Sequence, residues 1–404
     1  MTCTSGKMRY VGLDVHAETI AVAVAEGDAL SPGEVRSLGT IPNRPTSVAK
    51  LMRKLLEPLG DSSTLKVCYE AGPTGFVLYW QLTQLGIHCD VIAPGLVPTK
   101  ASDRVKTDRR DAMKLARSYR AGDLTPIWVP DAEIESLRAL VRAREAAKED
   151  QLRSRNRLGK FLLGLGVRRP DGMTAWTQKH RLWLSTIRFE EPAREAAFLD
   201  YLSEVDHALE RIKRLEAAID EVVANSSARV SALVAALQTL RGIKQVTAVT
   251  VVSEVGTFRR FSRARYLMGY TGAVPSEHSS GARKRQGGIT KSGNSHLRRV
   301  LVESAWAYRH RPSCTGNLRK RQEGQSEVVK AIAWKAQHRL SGRYHRLKAR
   351  GKPMPQVVTA VSRELSAFVW AIGVETERKL EHGMEHGMEH GMEHSAGSAM
   401  AAAG

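Results

Sequence analysis

The first 130 residues alternate short apolar runs with helix-like spacing of apolar side chains. Arg9–Val15 and Thr19–Ala25 are β-rich and are joined by a tight connection at His16-Ala17-Glu18, so they predict a hairpin. Glu34–Ile41 predicts a third strand. The pattern then predicts a helix, a strand, a helix, a strand and a helix, which cover residues 45–59, 65–69, 76–85, 87–93 and 108–121.

This order of elements narrows the fold class of the N-terminal region. A dinucleotide-binding fold would alternate strands and helices strictly and would carry Gly-x-Gly-x-x-Gly after its first strand, and the sequence has neither feature. Three consecutive strands before the first helix are the topology of ribonuclease-H-like nucleases. We therefore predict an α/β domain of that class over residues 8–130.

The remainder of the chain is predicted to be mainly helical. Residues 131–229 are rich in Arg and Glu, and their apolar spacing predicts two long helices, the second with a near-heptad seam. These helices fit either an antiparallel pair or a coiled-coil dimerisation arm. Residues 230–379 predict a third, mainly α-helical unit. Residues 380–404 repeat Glu-His-Gly-Met and then become rich in Ala and Gly, which predicts a disordered tail.

The charge of the chain points to a polyanionic partner. Its 404 residues carry 62 Lys and Arg against 42 Asp and Glu, a net charge of +20, and residues 281–350 hold 18 basic and 3 acidic residues, a net +15. Nucleic acid is the usual partner of such a concentrated field. We find no apolar run of about 18 residues for a membrane span and no secretory signal. The four cysteines lack metal-binding or disulfide spacing, which favours a cytoplasmic location.

Four acidic residues fall at positions where a ribonuclease-H-like fold would gather them. Asp14 ends the first strand, Glu70 ends the fourth, and Asp108 and Asp111 begin the last helix on one face. Clustered carboxylates repel one another unless a cation joins them, and hard oxygen ligands suit Mg²⁺ or Mn²⁺. Each acid also has a simpler interpretation as a turn former, and Asp108 as a helix cap. His16 is interpreted as a turn residue, or as a residue that supports the metal ligands, rather than as a ligand itself.

A serine in a glycine-dense, basic segment is the candidate nucleophile. Ser280 precedes Gly281, and a helix predicted from about Ser295 offers free backbone N–H groups near its start, where an anion can bind. Ser279 and Ser292 are the alternatives. The basic residues expected to contact nucleic acid are Arg283, Lys284, Arg285, Lys291, Arg298 and Arg299. A glycine turn at Arg241-Gly242-Ile243 fits either a phosphate-holding helix–hairpin–helix or a plain helix connection.

Several of these segments, taken together, resemble one family. Gly12-Leu13-Asp14-Val15-His16, Glu70-Ala71-Gly72, the run from Lys106 to Ala112 and the block from Gly272 to Arg299 are similar to the DEDD transposases of the insertion sequence 110 type. These are relatives of the Piv DNA invertases and are known as bridge-RNA-guided recombinases. The resemblance covers roughly residues 8–310 in order. The Glu-His-Gly-Met tail departs from the family pattern.

The resemblance implies more than the residues alone predict. It implies a RuvC-like N-terminal domain in which Asp14, Glu70, Asp108 and Asp111 bind the metal. It also implies a C-terminal transposase domain whose serine, best matched by Ser280, becomes linked to DNA. The helical middle would mediate a homodimer, and dimers would pair as a tetramer across donor and target DNA. A structured bridge RNA would select both DNA sites, in the cytoplasm of a bacterium.

Two other functions remain open at the level of the sequence. The first is a RuvC-like, metal-dependent nuclease or junction resolvase that uses the carboxylates without a covalent intermediate. The second is a non-enzymatic DNA-binding protein whose acidic residues only cap helices and form ion pairs. Dependence of cleavage on a serine separates the first from a recombinase, and cleavage itself excludes the second.

Overall fold

A computed structural model of the protein describes residues 8–27, 32–59, 64–98, 107–281 and 283–401, with the side chains of all of these except Pro32, Arg283, Lys284 and residues 383–401. The chain divides into two compact units, Met1–Val129 and Pro130–Gly404. The division lies after Val129, so residues 131–229 and 230–379 both belong to the second unit.

The first unit is built on a five-stranded sheet in the order β3-β2-β1-β4-β5. Its strands are β1 (Arg9–Val15), β2 (Thr19–Gly27), β3 (Pro32–Pro42), β4 (Leu65–Glu70) and β5 (His88–Ile92). The first three run antiparallel to one another, while β4 lies parallel to β1 and β5 lies parallel to β4. This is the ribonuclease-H-like arrangement that the order of elements predicts, and it makes β1 and β4 neighbours.

Helices cover both faces of this sheet. The helices α1 (Pro45–Leu56) and α2 (Val77–Gln84) contribute to the larger apolar core, which also contains Leu13 and Tyr69. The helix α3 (Asp108–Ala121) packs on the other face, where its Ala112 and Ala116 meet alanines of β2. The sequence predicts the bounds of α3 to the residue.

The second unit begins with two long helices, α4 (Ala132–Gly164) and α6 (Pro192–Ala224). Arg144 on α4 bonds to Glu216 on α6, and further along α4 Asp150 bonds to Arg211, so the helices run antiparallel. Of the two predicted arrangements the structure therefore has the antiparallel pair within one chain. The connection between them, predicted to be rich in loops, contains the short helix α5 (Gln178–Thr186).

The C-terminal half of this unit is helical apart from one hairpin. Its helices are α7 (Ala228–Leu237), α8 (Gln245–Val255), α9 (Ala264–Tyr270), α10 (Ser295–Ala305), α11 (Asn317–Gln322), α12 (Glu327–Ala349) and α13 (Met354–Ala401). The strands β6 (Pro275–Ser280) and β7 (Arg283–Ile289) pair antiparallel. A side chain at Gly242 would come within 2.4 Å of the Ser304 carbonyl oxygen, so that glycine turn packs against α10 and the plain helix connection is the better interpretation.

The helix α13 differs from two sequence-based expectations. Its part from Met354 to His382 is long and apolar enough to cross a membrane by length and composition alone, so the statement that no such run exists is wrong. Half of that apolar window is buried inside the unit. The helix also continues through the Glu-His-Gly-Met repeat, where the sequence predicts disorder, since Glu, Met and Ala all favour helix.

Candidate active site

The carboxyl ends of β1 and β4 bring the first two predicted acids together. Leu13 pairs with Tyr69 in the parallel register, so Asp14 and Glu70 follow at the same height on adjacent strands. Side chains alternate between the faces of a strand, and both acids therefore share the face of Gly12 and Cys68, on which α3 packs.

Hydrogen bonds fix the backbone around these strand ends. The Asn43 side-chain amide donates to the His16 carbonyl oxygen at 2.8 Å and holds the turn after β1. The Ala71 N–H donates to the Ile92 carbonyl oxygen, and the Tyr69 hydroxyl donates to the Gly75 carbonyl oxygen, which fixes the loop after β4. The result is an open cleft of about 640 Å³ that Asp14, His16, Asn43 and Glu70 all line.

The start of α3 supplies the other two acids. The cap of this helix is Thr107, whose Oγ1 accepts a hydrogen bond from the Arg110 N–H, so Asp108 is not the cap that its simpler interpretation would make it. Asp108 is exposed in the first turn, and Asp111 lies three residues further on in the same turn. Because Thr107 caps the helix, the Asp108 carboxylate is available for another role.

His16 joins the acidic residues, at a position that fits either a ligand or the supporting role that the sequence suggests. Its Nε2 lies 3.3 Å from Asp14 Oδ2 and 3.6 Å from Asp108 Oδ1. One ligand atom from each of these three residues lies within 4.8 Å of the others, a spacing at which a single ion can be shared. One feature of the sequence could have identified His16. It follows Asp14 by two residues, in a tight turn that keeps its side chain close to the Asp14 carboxylate.

Electrostatics at Asp14 show how closely the acids approach. Burial raises the pKa of this carboxyl, His16 opposes the rise, and the negative charges of Asp111 and Asp108 add to it. The structure thus brings Asp14, Asp108 and Asp111 into electrostatic contact and places Glu70 in the same cleft. A cation would relieve this repulsion, and carboxylate oxygens are suitable ligands for divalent ions.

Gly12 determines how close α3 comes to the sheet. A Cβ atom at this position would lie 2.4 Å from both the Ala112 carbonyl oxygen and the Ala116 nitrogen. The backbone of α3 cannot yield to a side chain without moving away from β1. The glycine therefore sets the distance between Asp14 and the acids of α3.

We expect Gly12→Ala to destabilise the first unit by about 1–3 kcal/mol, the usual cost of overpacking, and to weaken metal binding at the cleft. Gly95→Ala is the matched control, because a Cβ there meets nothing within 4 Å. Chemical denaturation and metal titration of both variants check this. Equal stability of the two variants would show that α3 tolerates displacement.

Ser280 lies in the second unit, at the tip of the β6–β7 hairpin. It pairs with Arg283 across a tight turn in which Gly281 has a φ of +57°, the left-handed region that favours glycine. Ser280 is exposed, whereas the Ser279 hydroxyl donates to Glu277 Oε1 at 2.7 Å. The glycine-dense loop of the sequence is thus a projecting hairpin with Ser280 at its end.

Two further glycines close the base of this hairpin. A Cβ at Gly272 would lie 2.3 Å from the Ser292 carbonyl oxygen, and one at Gly293 would lie 2.3 Å from that of Tyr270. The Lys291 N–H also donates to the Gly272 carbonyl oxygen. These glycines therefore serve the close approach of two backbone segments to each other, and Ser292 lies at the base rather than the tip.

The predicted nucleic-acid contacts divide into two groups. Arg285 and Lys291 are exposed, and the side chains of Arg283 and Lys284 lie outside the described part of the chain. Arg298 donates to the backbone carbonyls of Thr271 and Lys291, and Arg299 pairs with Glu145 and Glu303. Both arginines of the second group, Arg298 and Arg299, therefore bond to other residues of the protein.

A buried carboxylate joins this region to α4. Glu254 accepts two hydrogen bonds from Arg142, at 2.8 and 3.0 Å, and one from Asn294, which also caps α10. Burial alone would raise the pKa of Glu254, but the bonds from Arg142 and Asn294 outweigh it, so the pKa is lowered. The network fixes the start of α10, which follows the hairpin.

We expect Glu254→Gln to cost about 1.5–3 kcal/mol of stability, because it removes a buried negative charge that bonds to the half-exposed Arg142 and lies beside the mostly buried Arg138. The exposed Glu303→Gln is the control, and an exposed pair is worth about 1 kcal/mol or less. A lowered pKa contributes stability above the unfolded value and loses it in acid, so the deficit should shrink as the pH falls. Denaturation at several pH values measures this, and a deficit that grows in acid would contradict it.

The first unit is a mixed α/β domain whose strand order and clustered acids are compatible with a ribonuclease-H-like fold, and a mainly helical unit follows it. The profile of DEDD transposases of the IS110 type matches residues 11–166, and that of the "Transposase IS116/IS110/IS902 family" matches residues 234–320. The chain belongs to this family of transposases, which are enzymes that cut and rejoin DNA.

Individual relatives agree with the family assignment. A "Putative transposase y4qE" of Sinorhizobium fredii is 43% identical over 91% of this chain and 89% of its own length. The "Transposase for insertion sequence element IS1533" of Leptospira borgpetersenii is 31% identical over 85% of this chain and 98% of its own. A "Pilin gene-inverting protein" of Moraxella bovis is 23% identical over 67% of this chain and 66% of its own.

Proposed function

We propose that this transposase cuts and rejoins DNA through a covalent intermediate in which Ser280 is bonded to a backbone phosphate. The observation that carries the proposal is the position of Ser280, exposed at a hairpin tip beside a positive-φ glycine, in a chain that also carries a carboxylate cleft. An exposed hydroxyl on a narrow projection can reach a phosphodiester that a duplex presents on its surface.

The carboxylate cleft supplies the second half of the proposed chemistry. Asp14, Glu70, Asp108 and Asp111 would hold Mg²⁺ or Mn²⁺, with His16 beside them. A divalent ion held there stabilises negative charge on the oxygens of a phosphoryl transfer. The chain's own contribution is to bring the four carboxylates together at one end of the sheet, with α3 held close to β1 by Gly12.

The covalent step at Ser280 consumes no reagent other than the DNA. The Ser280 hydroxyl gives up its proton, its Oγ bonds to phosphorus, and the bond from phosphorus to one bridging oxygen of the DNA breaks. That oxygen leaves as a DNA hydroxyl. Because one phosphoester replaces another, a DNA hydroxyl can reverse the step and rejoin the strand.

The proposed partners are inferred from the positive charge of the chain and from its family. Donor and target DNA are the proposed substrates, and a structured bridge RNA is the proposed guide. Residues 281–350 carry a net +15, and Arg285 and Lys291 are among the exposed cations available to either polyanion. We also propose a homodimer through the helical region, with two dimers joined as a tetramer during strand exchange.

A plasmid recombination assay tests this function. The purified protein, the RNA that co-purifies with it and a plasmid bearing the element with its flanks are incubated with Mg²⁺, and junctions are amplified and sequenced. We expect precisely joined donor and target sequences. Cut ends that are never joined, without protein attached, would favour the alternative, a RuvC-like nuclease or junction resolvase acting through the carboxylate cleft alone.

A further inference from the structure

A concave pocket of about 380 Å³ lies between the C-terminal part of α4 and the segment around α5. Pockets of this size are typical of small-ligand sites. Three cations, Arg155, Lys160 and Arg169, line it together with two tryptophans, and none of its lining residues in the described chain is acidic. The combination of aromatic rings with uncompensated positive charge favours an aromatic anion.

Gly159 forms part of the pocket wall, and the packing of neighbouring residues does not explain why this position lacks a side chain. It lies inside a 33-residue helix, five residues before the helix ends at Gly164, and glycine within a helix costs about 1 kcal/mol relative to alanine. A Cβ built at this position meets nothing within 4 Å. The missing side chain therefore leaves space in the pocket rather than room for a neighbouring element.

Trp176, a second part of the wall, has an unusual backbone. Its φ is +62°, a left-handed value that is rare for a bulky residue and strained. The Trp176 N–H donates to His180 Nδ1 at 3.2 Å, and the His180 ring meets the indole edge-on at 5.3 Å. Backbone strain of this kind concentrates at binding sites, where the surrounding structure maintains it.

The cations of the pocket are placed beside these rings. The Arg155 guanidinium lies 4.8 Å from the Trp176 ring centre, and its buried Nε has no hydrogen-bond partner among the residues that the structure describes. Trp183 lies on the far side of His180, with ring centres 5.4 Å apart. The guanidinium of Arg155, together with the other cations that line the pocket, can bind a phosphate while the indole rings contact a base.

We propose that this pocket binds one unpaired nucleotide, with its base against Trp176 and Trp183 and its phosphate at Arg155. Stacking on aromatic side chains and contact with cations is how proteins hold single-stranded bases. An unpaired base of DNA and one of RNA share this chemistry. The inference goes beyond strand exchange, because the pocket lies in the helical region and involves neither Ser280 nor the carboxylates.

Photo-crosslinking of the full-length protein tests the proposal. The probes are two short oligonucleotides, one of DNA with 5-iododeoxyuridine and one of RNA with 5-iodouridine, whose excited bases bond to aromatic residues in contact. Gly159→Leu fills the pocket, and Gly164→Leu is the matched control, since Gly164 ends the same helix outside the pocket and a Cβ there also meets nothing within 4 Å. Neither variant should lower the Tm, because leucine favours helix more than glycine.

Peptide mapping gives the result. We expect crosslinks at Trp176 or Trp183 in wild type and in Gly164→Leu, with a yield reduced roughly tenfold in Gly159→Leu. Crosslinking by the DNA probe, the RNA probe or both identifies the source of the nucleotide. The proposal is overturned if neither probe reaches these two residues, or if Gly159→Leu retains the wild-type yield.

Discussion

Asp14→Asn is expected to lower metal-dependent DNA cleavage roughly a thousandfold, the scale on which removal of charge-stabilising groups slows catalysis. Asp14 has the central position among the acids: it neighbours Glu70 across the strands, lies near His16, and has its pKa raised in part by Asp108 and Asp111. Asparagine keeps the shape but removes one negative charge and one strong ligand.

The control for Asp14→Asn is Asp123→Asn, an exposed acid after α3 that does not line the cleft. It should cut DNA as wild type does. A second measurement separates a lost ligand from a damaged fold: Mg²⁺ or Mn²⁺ should raise the Tm of wild type and of Asp123→Asn, and raise that of Asp14→Asn much less. Full cleavage by Asp14→Asn would remove the cleft from the proposed chemistry.

Ser280→Ala is expected to abolish the covalent protein–DNA adduct on denaturing gels. The loss should be complete, because no other atom of residue 280 can bond to phosphorus. The substitution should leave the fold intact, since Ser280 is exposed and its strand pairing with Arg283 involves the backbone alone. The stability of the variant should therefore match wild type within about 0.5 kcal/mol.

Two neighbouring serines serve as controls for that experiment. Ser279→Ala removes the hydrogen bond to Glu277 but leaves the tip unchanged, and Ser292→Ala changes an exposed residue at the hairpin base. Both variants should still form the adduct. The adduct could instead survive Ser280→Ala and disappear in one of the two control variants. The nucleophile would then be the serine that this control replaces, and the hairpin tip would have a different role.

The sheet of the first unit was predictable because its signals are local. Alternation of apolar residues defines β1 and β2, and the order of strands and helices then restricts the topology, so that Asp14 and Glu70 had to meet at one edge. The cluster with His16 was not predictable, since it depends on the direction of a side chain in a turn. The cap at Thr107 was also missed, although a threonine before a helical run is a known signal.

The second unit was less predictable because its pattern depends on distant partners. The segment from Pro275 to Ile289 reads as a glycine-rich loop, and its pairing is apparent only once Gly272 and Gly293 are seen to let the two arms meet. The prediction that Arg298 and Arg299 contact nucleic acid depended only on their positive charge. Their carbonyl and carboxylate partners come from residues 4 to 154 positions away, and only the pairing of Arg299 with Glu303 lies within reach of a local pattern.

The most direct test of the account is to identify the residue that carries DNA during cleavage, by mass spectrometry of the trapped protein digested with nuclease and protease. With Mg²⁺ present, we predict a nucleotide on Ser280, and with the metal chelated we predict none. DNA that is cut while every peptide remains unmodified would contradict the account, as would a nucleotide on Ser280 that forms equally well without metal.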